Sequence, residues 1–211
     1  MEGVAEATRP RRRRRTPAEA EQEIIAAAEA LLREHPFRHL TVDEVMRRTD
    51  LSRPSFYVYF RDRHHLVLRV VEHIGSELQT MADRWFKGGQ DGPAEVRSAL
   101  EGVVTVFAEH GPVLQALADA ATDDPDVEVV YGALVQGFID VTAEHIRTES
   151  AARRLLTIAD AEQMARALVL MTERYLLATM GRGPSVAAAT ITETLTSVWV
   201  RSLYGNGPAS A

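Results

Sequence analysis

The sequence predicts an all-α protein of about nine helices, in which a small N-terminal three-helix unit with the dimensions of a helix-turn-helix precedes a larger helical body. Three observations lead to this reading. Apolar residues recur every three or four positions through most of the 211-residue chain, the spacing of helices that bury one face. No segment holds the alternation of a half-buried strand: Val127, Val129 and Val130 are β-branched, but they open a pattern that runs on through Leu134, Val135, Phe138 and Val141. Caps, prolines and glycines then cut the periodic stretches into short N-terminal and long C-terminal lengths.

Residues 1–16 lack apolar periodicity and read as a disordered basic arm. From Pro17, Ile24, Ile25, Ala28, Leu31 and Leu32 recur at helical spacing, and Pro36 marks the stop, so the first helix is expected at 17–35. Thr41-Val42-Asp43-Glu44 has the form of a capping box and starts the second helix, with Val42, Val45 and Met46 facing inward. After a turn at Thr49 to Ser52, Ser52 is placed to cap a short third helix at 53–59, with Pro54 early enough that its missing N–H is harmless. Asp62 caps a long fourth helix carrying Leu66, Val70, Ile74, Leu78, Met81 and Trp85 and ending at Gly88-Gly89. Beyond it, helices are expected at 93–109, 112–121, 125–148, 160–181 and 185–204, with Gly111-Pro112 read as a break.

Charge is distributed unevenly. The formal net charge is −6, yet residues 1–75 carry 14 arginines against 12 acids, and residues 76–211 carry 10 basic side chains against 18 acids. Arg9 and Arg11 to Arg15 form a dense basic run, with Arg47, Arg48, Arg53, Arg61 and Arg63 as a sparser series. A basic N-terminal end on an acidic protein suits a nucleic-acid partner confined to that end.

Other classes are excluded or disfavoured. The chain has no cysteine, and its seven histidines are scattered without ligand spacing, so neither a metal nor a cofactor is expected. No H-E-x-x-H, phosphate loop or G-x-S-x-G occurs, so no catalytic residue is assigned and the chain is not expected to be an enzyme. Glu173 beside Arg174 reads as a buried acid or, more readily, as an ion pair or a helix-surface pair. The arginines are followed by Thr16-Pro17-Ala18-Glu19 rather than an apolar stretch, and no run reaches the 18 or so residues of a membrane span. A cytoplasmic protein without a membrane partner is expected.

Two short helices packed through Val45, Met46, Leu51 and Phe56 are only a moderate signal for a helix-turn-helix. The fuller string, Leu40-Thr41-Val42-Asp43-Glu44-Val45 followed by Leu51-Ser52-Arg53-Pro54-Ser55-Phe56-Tyr57-Val58-Tyr59-Phe60-Arg61-Asp62-Arg63, closely resembles the N-terminal signature of the TetR family. The resemblance implies a DNA-binding domain at 17–63 and a ligand-binding and dimerisation domain at 64–211, with 53–59 as the recognition helix in the major groove. It places Thr41 and Tyr59 against phosphates, Arg53, Ser55 and Tyr57 towards the groove, Arg63 against the DNA backbone, and Phe56 and Phe60 in the small core. The basic arm would add salt-sensitive contacts in the minor groove. This chain departs from the family pattern at Asp50, where glycine is usual in the turn, and at His64-His65, usually an acidic pair.

In the body, Ala167-Leu168-Val169-Leu170-Met171-Thr172-Glu173-Arg174-Tyr175-Leu176-Leu177, then Pro184-Ser185-Val186, then Val198-Trp199-Val200-Arg201-Ser202-Leu203-Tyr204-Gly205, resemble the EthR-like branch of that family. The resemblance implies an apolar ligand tunnel walled by Phe107, Tyr131, Phe138, Thr142, Thr172 and Trp199, with Val169 where the branch can present a polar amide. It also implies a homodimer in which helices 160–181 and 185–204 pair with their twins as a four-helix bundle. Those helices are apolar around more of their surface than one core face needs, and outward apolar positions such as Ile191 and Leu195 are expected at that interface. The functional expectation is a repressor that binds an imperfect palindrome in double-stranded DNA and is released by a small hydrophobic effector, pictured as long or aromatic and uncharged. The competing readings are a TetR-type activator, and a helical small-molecule-binding protein or enzyme whose helix-turn-helix is vestigial.

Overall fold

The computed structural model describes residues 15–86, 91–152, 154–183 and 185–205, with the side chains of 83–86 excepted. The expected arm up to Arg14, the Trp85 side chain, the Gly88-Gly89 break and Pro184 therefore lie outside the described residues. Eight α-helices are described: α1 Pro17–Glu34, α2 Val42–Arg47, α3 Arg53–Tyr59, α4 Arg63–Phe86, α5 Gly92–Ala120, α6 Pro125–Ala151, α7 Ala161–Met180 and α8 Ala188–Tyr204. A 3-10 turn at Phe37–His39 joins α1 to α2, and no strand occurs among the described residues beyond an isolated Gly181–Gly183 bridge.

Helix α1 begins as its sequence dictates. Thr16 accepts from the Glu19 N–H at 3.2 Å while the Glu19 carboxylate accepts from the Thr16 N–H at 2.7 Å, a complete reciprocal box. At α2 only half of the expected box forms. Thr41 caps through the Glu44 N–H at 3.2 Å, but the Glu44 carboxylate turns to Arg47. Ser52 occupies the N-cap of α3 without a capping bond, because its hydroxyl meets that of Ser55 at 2.9 Å. The Asp62 cap of α4 forms as expected, accepting from the His65 N–H at 2.8 Å. That bond, made to the ionised form, holds the Asp62 carboxyl below its ordinary range.

The expected break at Gly111-Pro112 does not occur. Helix α5 runs through it without interruption for 29 residues. Pro112 removes one ladder donor, and Gly111 serves a different purpose: a Cβ there would lie 2.7 Å from the carbonyl oxygen of Met180. The glycine is thus a point of close backbone approach between α5 and the end of α7, not a terminator. Two expected helices merge, and nine become eight. Helix α8 also starts later than expected, because the Ser185 N–H and hydroxyl are both spent on the carbonyl of Thr179, at 2.9 and 3.0 Å.

The buried apolar residues form one continuous cluster from Ile24 to Leu203. Helix α4 threads it. Its Leu66 and Val70 belong to the same cluster as Phe56 and Phe60 near its start, and its Leu78 and Ala82 reach the interior of the body about 20 Å further along the helix axis. On α8, Ile191 and Leu195 are 0% and 2% exposed and pack inward, contrary to the outward placement expected of them. The large apolar side chains that α7 and α8 leave in solvent are Leu170 and Val198, at 43% and 37%.

Candidate nucleic-acid interface and internal cavity

Helix α3 divides its side chains cleanly. Phe56 and Phe60 close the N-terminal core with their rings 5.3 Å apart, whereas Tyr57 is 52% exposed and Val58 points into solvent. The Arg53 guanidinium lies 5.7 Å over the Tyr57 ring and its Nε donates to Asp43 Oδ1 at 2.7 Å. An exposed tyrosine and arginine on a short helix, backed by a phenylalanine core, offer groups that can reach base edges and phosphates. Tyr59 is half-buried against the core, and Ser55 sits one turn before it with its hydroxyl on Ser52. Thr41 uses its oxygen as a helix cap, which leaves its hydroxyl proton available to a phosphate.

Several of the arginines of this end are paired with acids. Arg53 meets Asp43, Arg47 meets Glu44, and Arg48 donates to Glu34 at 3.0 Å. Arg15 spans Glu23 at 3.0 Å and Asp50 at 3.1 Å. The turn residue Asp50, which stands where the family has glycine, is held further by its N–H donating to Glu23 at 2.8 Å. Arg63 lies 4.8 Å over the Phe37 ring and 3.6 Å from Asp124 at the start of α6. His64, beside it, contacts Asp124 at 3.0 Å and Asp126 at 3.9 Å. Any phosphate these arginines engage must compete with the carboxylates, and at Arg63 with Asp124 at the N-terminus of α6.

A second polar joint ties α1 to the body. His110 of α5, 3% exposed, places Nε2 3.2 Å from Glu77 of α4 and Nδ1 3.3 Å from Glu29 of α1, the latter a charge contact without hydrogen-bond alignment. The Glu29 carboxylate raises the imidazole above its ordinary pKa, with help from Glu77 and against the opposing effect of burial.

Inside the body, α4 to α8 enclose a cavity of about 110 Å³, several times the ~10–15 Å³ that one water requires. Phe107 from α5, Tyr131, Phe138 and Thr142 from α6, Thr172 from α7 and Trp199 from α8 all line it. The rest of the wall is almost entirely aliphatic, and α4 contributes Leu78 and Ala82. Thr172 Oγ1 accepts from Trp199 Nε1 at 2.9 Å, so its own proton can be offered to the cavity. Tyr131 donates to Glu173 at 2.7 Å, and burial followed by the adjacent carboxylate raises the phenol well above its ordinary range, keeping it a neutral donor. Glu173 is thus a cavity wall and not the surface partner of Arg174 that its position in the sequence suggested. A reading of α7 by turns finds it, since it follows Thr172 and lies four residues after Val169, which lines the same cavity.

Comparison with known proteins agrees with both ends. A model of the bacterial regulatory proteins of the tetR family matches residues 24–70, and a model of the transcriptional regulator EthR C-terminal domain matches 96–205. The HTH-type transcriptional regulator EthR of Mycobacterium tuberculosis (strain CDC 1551 / Oshkosh) is 34% identical over 213 residues, covering 96% of either chain. The chain belongs to the TetR family, in its EthR-like branch. The HTH-type transcriptional regulator EthR of Mycolicibacterium smegmatis is 28% identical, over 89% of this chain and 88% of that one. Among solved structures, a TetR-family regulator from Syntrophomonas wolfei superposes with a TM-score of 0.78 at 12% identity, covering 93% of this chain and all of the other. Salmonella enterica GusR gives 0.73 at 16% identity, with 88% of this chain and 96% of that one covered. The chain is accordingly a helix-turn-helix DNA-binding transcriptional regulator. None of its described helices is long and apolar enough to cross a membrane.

Proposed function

We propose that this TetR-family member is a cytoplasmic, homodimeric repressor that leaves its operator when a small molecule with an apolar or aromatic body enters the cavity between α4 and α8. The observation that carries the reading is the double placement of α4. One end follows the recognition helix directly, and Leu78 and Ala82 near the other line the cavity. In this reading residues 17–63 are the DNA-binding unit and 64–211 the ligand-binding and dimerising one. Thr41, Tyr59 and Arg63 meet the backbone of double-stranded DNA, while Arg53, Ser55 and Tyr57 face the groove. Leu170 and Val198 supply the apolar patch by which α7 and α8 pair with their twins, setting two recognition helices about 34–36 Å apart on an imperfect palindrome.

A ligand that spreads Phe107 and Phe138 displaces α4 and with it α3, changing the separation of the two recognition helices. Reversing a 99:1 population needs a preference of about 5.5 kcal/mol for the spread form. The Thr172 proton orients the ligand through an acceptor atom. Selection of bound fragments from genomic DNA, followed by gel shift of the winners, tests the reading. Wild type retards a small set of related palindromic fragments and a Tyr57→Ala, Arg53→Ala double variant does not. Equal retardation by both excludes α3 as the reader.

A further inference from the structure

The walls of the cavity are apolar except at a few points, and at those points the charge does not balance. Tyr131, Thr142, Thr172 and Trp199 are neutral. Glu173 is a carboxylate, and no basic side chain lines the cavity or pairs with Glu173 among the described residues. Its one described bond is the Tyr131 hydroxyl at 2.7 Å on Oε1, which leaves Oε2 without a described donor. A carboxylate offers about four acceptor positions, and one neutral phenol satisfies only one of them. Glu173 is half-buried, and its remaining acceptor positions, set among aliphatic and aromatic walls, suit a cationic group better than a neutral one.

The aromatic residues point to the same complement. Phe107, Phe138 and Trp199 share the cavity with Glu173, and aromatic faces attract a cation through their quadrupoles. An uncharged ligand gains only the apolar part of this surface. A ligand with a protonated nitrogen gains the apolar part, the ring faces and a charge-assisted bond to the carboxylate.

We propose that the effector is a lipophilic amine, with an apolar or aryl body in the aliphatic part of the cavity and its ammonium group on Glu173. This rests on the reading of the cavity as an effector site and revises the expectation of an uncharged molecule. Glu173 supplies the charge, Tyr131 orients the carboxylate, and Thr172 selects for an acceptor elsewhere on the body.

The test uses phenylbutylamine and its neutral counterpart phenylbutanol, titrated calorimetrically against the full-length protein at neutral pH. Wild type binds the amine about tenfold or more tightly than the alcohol, as a charge-assisted bond requires. Glu173→Gln abolishes that preference while leaving the alcohol's affinity within about threefold. Tyr131→Phe, which keeps the charge and removes its neutral donor, retains the preference. The wild-type ratio needs no variant, so it stands if Glu173→Gln folds poorly. Alcohol binding equal to amine binding in wild type, or a preference that survives in Glu173→Gln, overturns the amine assignment and leaves the effector cavity standing. Failure of both probes to bind wild type overturns both.

Discussion

At the DNA-binding end the polar and aromatic groups point out of the fold, with Tyr57 and Arg53 on the surface of a core closed by Phe56 and Phe60. In the body they point in, with Thr172, Tyr131 and Glu173 lining a cavity among the helices. The two regions therefore respond to different conditions. Exposed ion pairs such as Arg53–Asp43 are weak and screened by salt, so they can be traded for phosphate at little cost. Buried polar groups are screened far less and decide by fit which molecule is accepted. Two adjacent residues expose the contrast most sharply. Phe56→Ala removes a fully buried ring and costs about 3–5 kcal/mol of stability in chemical denaturation. Tyr57→Ala leaves stability within about 0.5 kcal/mol yet costs about 1–3 kcal/mol at the operator.

The His110 joint belongs to neither region and tests whether they are mechanically one. His110→Leu removes the imidazole from the buried Glu29, which keeps Arg33 at 3.3 Å, and costs about 1–3 kcal/mol. The sign with pH follows from the raised pKa in the folded state. The contribution is fully present below the unfolded value of about 6.5 and is lost as pH rises through the folded one. The stability gap between wild type and variant therefore narrows as pH rises above about 6.5. A gap that widens shows that Glu29 is not held by the charged imidazole.

The N-terminal unit was legible in the sequence because its determinants are local: a threonine cap, a proline in the first turn, and an inward Phe56 beside an outward Tyr57 in a seven-residue helix closed by Phe60. The body was legible as a set of helices but not in its contacts. Gly111 looks like a terminator until Met180 is seen against it. Ile191 and Leu195 look like an interface until α5 is packed on them. Glu173 looks like half of a surface pair until Tyr131 is brought across from α6. In each case the deciding partner lies on another helix, at a separation that periodicity within one helix does not encode. The six cavity residues were reached through family resemblance, and their placement around one space is a tertiary fact.

Smaller effects sharpen the comparison at the surface. Leu170→Glu with Val198→Glu places charge on the exposed apolar patch of α7 and α8 and weakens self-association by about 2 kcal/mol or more per buried charge. Sedimentation then shows monomers at concentrations where wild type is dimeric, with the Tm of the fold little changed. Asp43→Asn is the mildest change. It releases Arg53 and removes a negative charge that faces DNA, tightening operator binding by about 0.5 kcal/mol, and anisotropy titrations at two salt concentrations measure it.

In the proposed mechanism, filling the cavity and holding DNA are mutually exclusive. Thr142→Trp tests it without any ligand, because Thr142 is 2% exposed and lines the cavity from α6. The measurement is the affinity of this variant for a selected operator fragment by fluorescence anisotropy, with thermal melting recorded on the same samples. The account predicts a folded protein whose operator affinity falls about tenfold or more, as a shift of about 1.4 kcal/mol towards the spread form requires. A folded variant that binds the operator as tightly as wild type contradicts it.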